Sequence, residues 1–528
     1  MELTLSLVSL VYLLLALAAV YAYNTITRSR SPPQQRLPPE PPGWPVIGHL
    51  HLLLLSGGTP PHRAMAELSR RMRAPLLRLR LGSVRAVVIS APELARAALT
   101  THDAALASRP RLLSGQVLSF GCTDVTFAAA GPYHRVARRV AVSELLSARR
   151  VATYAGVQRD ELRRLLARLS GIAAEQEQQA TVVDLSACLL TLANDVLCRV
   201  TFGRRLPHGG GKGGDKLAAV LAEAQDLFAG FNVGEFFPEL EPFASAVTGL
   251  RRRLKRCLAD LCEVCDEIID EHVKRQQRVP GDRDEDFLDL LLRAQKSPDL
   301  EVPITDDNLK ALVLDMFVAG TDTTFAILEW VMTELVRYPR VLKKAQDEVR
   351  RACGGKGFVD ELDLAGLRYT RAVIKETFRL HPPVPLLVPR ESAASCAIGG
   401  YDIPAGTRVF VNNYAMGRDP EVWEDPLEFS PERFESDKYG GGGEIDLKDP
   451  DCKMLPFGGG RRGCPGYTFA MATAQLTLAG LLYHFEWALP DGVRAEDVDL
   501  TESFGLATKK KEPLLVVVRN SEGFEFKE

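Results

Sequence analysis

One short stretch limits this chain more than any other: Phe457-Gly458-Gly459-Gly460-Arg461-Arg462-Gly463-Cys464-Pro465-Gly466, followed by an apolar, helix-like run from Tyr467 to Tyr483. The pattern predicts a glycine-built turn that delivers a cysteine to the start of a buried helix. The helix dipole at that position favours the thiolate form of a cysteine. Glycines let backbone approach a flat ligand closely and aim N–H groups at the sulfur. Arg462 adds a cation suited to pairing with a carboxylate. A soft thiolate in this setting is a good iron ligand. The plain alternative for Cys464 is a buried structural cysteine in a turn.

A second feature lies upstream. Ala311 to Val336 reads as one long apolar helix interrupted by Ala319-Gly320-Thr321-Asp322-Thr323-Thr324. Polar groups inside an apolar helix are costly unless partnered. Threonine hydroxyls bend a helix by bonding back to the carbonyl four residues earlier. The structural alternative is a kinked core helix with a solvated Asp322. Further on, Lys375-Glu376-Thr377-Phe378-Arg379 places Glu376 and Arg379 on one helix face, and Pro431-Glu432-Arg433-Phe434 follows.

The 528 residues are 46% hydrophobic and 25% charged, an ordinary globular balance with length for a large core. A net charge of -3 gives no basic footprint for nucleic acid. Most of the ten cysteines lie far apart, which fits a reducing, cytosol-facing compartment. The CxxC of Cys262 and Cys265 reads as ordinary helix residues.

Leu3 to Tyr23 is apolar and uncharged, and as a helix would span roughly 31 Å, about one bilayer core. Arg28, Arg30 and Arg36 follow, a flank that favours a cytoplasmic body. A cleaved signal peptide would want a shorter apolar core with its basic flank in front. The expected organisation is a membrane anchor at 1–27, a stiff Pro-rich linker at 28–48 and one domain at 49–528. Leu77 to Leu81 and Arg85 to Ile89 read as strands. Asp160 to Leu169, Lys216 to Phe228, Ala246 to Lys274 and Asp307 to Tyr338 read as helices. The expected fold is therefore mainly α with small β-sheets. The glycine runs Gly209 to Gly214 and Gly440 to Gly443 lack phosphate-loop spacing.

The Cys464 stretch resembles the haem loop of the cytochrome P450 family, FxxGxRxCxG, with Phe457, Gly460, Arg462, Cys464 and Gly466 at every fixed position. The resemblance implies a single-domain cytochrome P450 fold with an N-terminal transmembrane helix. It implies that Cys464 is the proximal haem ligand, that Phe457 packs beside the sulfur and that Arg462 binds a haem propionate. Ala319 to Thr324 resembles the family's AGx[DE]T[TS]. This implies that Asp322 and Thr323 relay protons during oxygen activation, and that Ala319 and Gly320 leave room for oxygen. Glu376 and Arg379 match ExxR, and Arg433 lies in the PERF match; together they imply a structural ion network. Tyr133-His134-Arg135-Val136-Ala137-Arg138 departs from the usual WRxxR, with His134 in place of Trp. Arg138 and Arg390 remain the implied propionate partners, with His134 as a further donor.

By the same resemblance, electrons come from NADPH through NADPH–cytochrome P450 reductase; on electrostatic grounds Arg135, Arg139, Lys453 and Arg461 are the cations expected to help form its docking face. Pro41 to Gly48 matches the hinge of plant microsomal members, which implies a single-pass endoplasmic reticulum protein facing the cytosol. Three segments, Leu112 to Ala128, Pro132 to Val140 and Gly281 to Pro303, resemble plant members that hydroxylate the indole ring of tryptamine to give serotonin. The small aromatic substrate would meet Asp124, Phe317, Ala319, Leu386 and Phe504, in a mostly apolar pocket suited to an indole. Asp124 would pair with the ammonium; the plain alternative is a solvated loop Asp. Two other readings stay open: a monooxygenase of a phenylpropanoid or flavonoid, and a non-catalytic membrane haem carrier or sensor. An intact Asp322-Thr323 pair speaks against the carrier.

Overall fold

The computed structural model describes residues 36–54, 57–175, 181–205, 214–229, 233–278, 285–435 and 451–526. The expected anchor at 1–27 and both glycine runs, apart from Gly214, lie outside them. The described chain is dominated by helices, with small sheets at the margins. The main helices are α1 (Pro132–Arg139), α2 (Ala155–Glu175), α3 (Leu185–Phe202), α4 (Gly214–Ala229), α5 (Leu250–Arg278), α6 (Asp306–Arg337), α7 (Pro339–Cys353), α8 (Arg368–Leu380) and α9 (Tyr467–His484).

Helix α6 is the spine. Thr305 and Asn308 close a capping box at its start, satisfying amides that the first turn leaves open. Helices α3, α8 and α9 pack along it, and their leucines, valines and alanines form one continuous core. Both α3 and α6 are long and apolar enough to cross a membrane by length and composition, but each is largely buried within the fold. Their apolarity therefore serves the protein core. The expected helix from Ala246 to Lys274 is broken in two, Glu241–Thr248 and Leu250–Arg278. Gly249 adopts φ 69°, the left-handed conformation that ends a helix and that glycine takes without steric cost.

The first two strands are built from apolar residues, leucines interleaved with Arg78 and Arg80 in one and valines with an isoleucine in the other. β1 (Leu76–Leu81) and β2 (Val84–Ile89) form an antiparallel hairpin. β2 runs parallel to the later strand Arg408–Val411, which pairs in turn with Arg390–Glu391. Phe485–Ala488, Leu515–Asn520 and Val182–Asp184 make a second sheet. The described part of the Pro-rich segment lies against the first sheet. Arg78 N–H donates to Pro39 O at 2.8 Å, His49 Nε2 meets Pro41 O at 2.8 Å, and Gly48 bridges to Leu81. Residues 38–48, expected as linker, are thus tied to the folded body by backbone hydrogen bonds.

Candidate active site

The Cys464 loop is held by its own backbone. Cys464 N–H donates to Phe457 O at 2.8 Å, Gly463 N–H to Gly460 O at 3.1 Å and Gly458 N–H to Leu455 O at 3.0 Å. Gly460 has φ 61°, and a Cβ there would lie 2.5 Å from Leu99 O, so neither the conformation nor the space admits a side chain. Gly466 stands just before α9 as its N-cap. Phe457 is wedged between Phe378 and Tyr467, with ring centroids at 5.2 and 4.9 Å. Cys464 forms no disulfide and its side chain is accessible. It opens into a cavity that Phe457, Phe378, Leu387, Val388, Ala319 and Thr323 also line.

Helix α6 supplies another wall. Thr323 Oγ1 donates to Ala319 O at 2.7 Å, the back-bond to the previous turn, and Ala319, Gly320, Thr323 and Thr324 all border the cavity. Asp322 does not border it. Its carboxylate is buried and faces Lys509 at 3.8 Å, and burial holds its pKa above the ordinary range against the pull of Lys509. Gly320 also faces α3, since a Cβ there would meet Leu197 Cδ1 at 2.9 Å. The missing side chain lets α3 approach α6.

Four arginines converge on the same cavity: Arg109, Arg138, Arg390 and Arg462. Arg462 spends its guanidinium on the carbonyls of Ala107, Val125 and Ala128, at 2.7, 3.2 and 2.5 Å. Arg138 donates to Gly463 O at 2.7 Å, and Arg390 to Asp103 Oδ1 at 2.8 Å and Gly459 O at 2.6 Å. Arg109 donates to Thr126, Val388 and Pro389 carbonyls. Burial first, then Arg390 and Arg138, lowers the Arg462 pKa to about 10; burial, Arg462 and Arg390 lower Arg109 well below its ordinary value. His134 sits among them with Nε2 unpartnered by protein. Burial first, then Arg462, Arg138 and Arg109, depress it to about 3, so it stays neutral. Crowded cations, an orphaned buried imidazole nitrogen, apolar walls and an accessible thiol fit one group well: a flat porphyrin with two carboxylates and a thiophilic metal.

Glu376, Arg379 and Arg433 form one buried ion network. Arg379 Nε and Nη2 each donate to Glu376 at 2.7 Å, and Arg433 Nε reaches the same carboxylate at 3.0 Å. The remaining donors of Arg379 meet the carbonyls of Gly417, Pro426 and Glu428.

The expected substrate residues separate. Asp124 and Ala319 line the main cavity. Leu386 and Phe504 line an adjoining one, whose walls it shares in Phe127, Phe228, Leu387 and Leu506. Phe317 lines neither. It is 2% exposed and stacks on Phe202 at 5.0 Å, because its position on α6 faces α3. Asp124 is no solvated loop residue: it is 2% exposed and accepts from Ser119 Oγ and Phe127 N–H, both at 2.5 Å. Sequence reading missed Asp315 and Arg109, which share this cavity. Asp315 carried a signal, since it stands one helical turn before Ala319. Arg109 carried none, because its carbonyl partners come from distant segments. Of the expected docking cations, Arg135 pairs with Glu301 at 3.3 Å, Lys453 with Asp451 at 3.9 Å and Arg461 with Asp103 at 3.5 Å. Arg139 is exposed.

Comparison with known proteins agrees with this architecture. The family model described as Cytochrome P450 matches residues 38–516. The chain is 73% identical to tryptamine 5-hydroxylase of Oryza sativa subsp. japonica, over 100% of this chain and 99% of that protein. It is 44% identical to cytochrome P450 71AP13 of Prunus mume, over 96% and 94% of the two chains. A solved zebrafish cytochrome P450 structure with progesterone superposes with TM-score 0.73 at 25% identity, covering 88% of this chain and 100% of that one. The chain belongs to the cytochrome P450 family, and is accordingly an oxidoreductase: a haem-iron monooxygenase that takes electrons from a reductase and acts on a small molecule.

Proposed function

We propose that this protein hydroxylates the indole ring of tryptamine at position 5, giving serotonin. One oxygen atom of O2 enters the ring C–H bond and the other leaves as water, with two electrons from NADPH. The observation that carries the reading is the accessible Cys464 thiol at a cavity lined by four arginines, three of them buried, in a chain 73% identical to a tryptamine 5-hydroxylase.

In this reading Cys464 is the iron ligand, and Phe457 shields the sulfur from one side. Gly466 stands beside that sulfur, where a Cβ would come into ordinary van der Waals contact with it at 3.9 Å. Arg138, Arg390 and Arg462, joined by Arg109 and neutral His134, hold the propionates. The haem, when bound, supplies dioxygen activation and oxygen insertion. The chain supplies the protons. Thr323 has committed its hydroxyl hydrogen to Ala319 O, so its oxygen lone pairs are free to orient a water in the cavity. Asp322, with its pKa raised by burial, is suited to hold a proton at its carboxylate and to exchange it through the exposed edge of Lys509. Phe127 and Phe228, stacked at 5.1 Å, offer an aromatic wall to the indole.

The immediate electron donor is NADPH–cytochrome P450 reductase, steered to Arg135, Arg139, Lys453 and Arg461, so coupling should weaken as salt rises. The apolar segment at 1–27 anchors the protein as a single pass in the endoplasmic reticulum membrane with the domain in the cytosol. The decisive experiment joins the carbon monoxide difference spectrum of the reduced protein to product analysis with tryptamine, NADPH and reductase. A thiolate-type band with 5-hydroxylated product is expected. A normal spectrum with turnover of a phenylpropanoid or flavonoid but not tryptamine would overturn the substrate. NADPH oxidation with no product from any of them would favour a carrier or sensor.

A further inference from the structure

Asp124 and Asp315 both border the main cavity, on two different elements. Asp315 belongs to α6 and accepts from Val125 N–H at 3.0 Å, Thr126 N–H at 3.2 Å and Thr126 Oγ1 at 2.5 Å. It thereby ties the loop carrying Asp124 to the helix carrying Ala319 and Thr323. Asp124 accepts from Ser119 and Phe127 within its own loop. A carboxylate offers about four lone-pair sites. Asp124 uses two of its sites in these bonds and Asp315 uses three, so each keeps capacity for another donor.

We propose that Asp124 and Asp315 form the ammonium-binding end of the substrate site, and that an amine held there selects the ring carbon that is oxidised. The inference rests on the arylalkylamine reading of the cavity and adds the device that recognises it.

The electrostatics of the cavity call for a cation at this point. Asp124 is buried and Asp315 half-buried, and the charge of Asp315 disfavours ionisation of Asp124. Burial, then Asp315, pushes the Asp124 pKa up to about 8 despite Ser119, Phe127 and Arg109, which pull it down. Arg109 is the nearby cation, but its hydrogen bonds go to the carbonyls of Thr126, Val388 and Pro389. A primary ammonium brings three donors and a compact positive charge, and would let both carboxylates ionise. A neutral indole brings neither, and a carboxylate-bearing indole would add repulsion.

The helix also provides a ruler. Asp315, Ala319 and Thr323 stand at i, i+4 and i+8 on one face of α6. Ala319 is therefore about 6 Å and Thr323 about 12 Å along the axis from Asp315. In tryptamine, the ring carbon at position 5 lies roughly 7 Å from the nitrogen, six bonds of ~1.5 Å in a bent path. With the amine at Asp315, the far edge of the benzene ring falls between Ala319 and Thr323, where the threonine hydroxyl orients water. Carbon 2 of the pyrrole ring stays close to the anchor.

The test uses the full chain loaded with haem, and reads ligand binding by the optical difference spectrum. Tryptamine is compared with 3-ethylindole, which keeps the ring and lacks the charge, in the wild type, Asp124→Asn and Asp315→Asn. Tryptamine should bind the wild type about tenfold tighter than 3-ethylindole or better. Each substitution should weaken tryptamine by about tenfold or more and leave 3-ethylindole within about twofold. Because Asp315 also holds the Val125–Thr126 backbone, Asp124→Asn decides the matter where Asp315→Asn weakens both ligands. Unchanged tryptamine affinity in Asp124→Asn, or affinities for both ligands falling in step, overturns the proposal. The two readings fail separately: a wild type that prefers the cation but makes no 5-hydroxylated product sinks the serotonin reading and keeps the anchor. Serotonin formation with charge-blind binding does the reverse.

Discussion

The network of Glu376, Arg379 and Arg433 and the cluster of Arg109, Arg138, Arg390 and Arg462 both lie inside the fold, and they treat charge in opposite ways. In the network, one carboxylate accepts from both guanidiniums, and backbone carbonyls take the donors left over. In the cluster, Arg390 has Asp103 and Arg109 lies near Asp124 and Asp315, while Arg138 and Arg462 donate to carbonyls and Arg462 and Arg109 repel their neighbours. A network closed by its own anion is architecture, and breaking it strands a charge. Arginines left with carbonyls for partners at the Cys464 end of a cavity are the imprint of an anionic ligand. The first stabilises the region of the Cys464 loop whatever is bound; the second is completed only by the ligand.

The largest expected effect tests the closed side. Glu376→Gln leaves Arg379 and Arg433 buried without their anion, and should cost about 3–5 kcal/mol of stability. Urea denaturation of the haem-loaded protein would read this as a lower midpoint; a wild-type midpoint would break the comparison from its firmest end. Arg462→Met tests the open side. Three carbonyls lose a donor, but the remaining arginines lose a repulsive neighbour, so unfolding should shift by less, about 1–2 kcal/mol. Haem transfer to apomyoglobin should instead quicken by about tenfold or more, the ~1.4 kcal/mol of one charge-assisted contact. Haem retention equal to wild type would deny the cluster its role.

Two smaller effects concern pH. His134 is held neutral, well below its ordinary 6.5, by burial and then by Arg462, Arg138 and Arg109. A depressed folded pKa contributes stability that is present above pH 6.5 and is lost as pH falls toward about 3. His134→Phe should therefore flatten the acid limb of the stability profile; an unchanged slope would remove His134 from the cluster's electrostatics. Asp124 has the opposite sign. Its pKa is raised from 3.8, so the fold loses stability as pH rises between 3.8 and about 8, with Asp315, Ser119 and Arg109 as the groups facing it. Asp124→Asn should be the more stable protein at pH 8, and a less stable variant there would contradict the burial of an unpaired charge.

Where local pattern was sufficient, the physical reason is short range. The Phe457–Gly466 turn could be read because a left-handed φ at Gly460 and a helix beginning at Tyr467 are properties of neighbouring residues. The strands β1 and β2 could be read from short apolar runs, the second rich in β-branched residues, and the shared face of Glu376 and Arg379 from a spacing of three; the pairing of the two strands came from the structure. The break at Gly249 escaped because one glycine inside a helical pattern is often tolerated, and its left-handed state depends on what surrounds it.

By itself, then, the amino-acid order determined the chemistry that can occur: a thiol at a helix start, threonines in an apolar helix, cations near a glycine turn. Tertiary structure alone decided which of these groups share a space. It turned Phe317 into α3, aimed Asp322 at Lys509, and brought Arg109 and Asp315 to the cavity from positions with no common motif. The reason is that backbone geometry repeats over a few residues, whereas the cost of burying a charge is set by every segment packed around it.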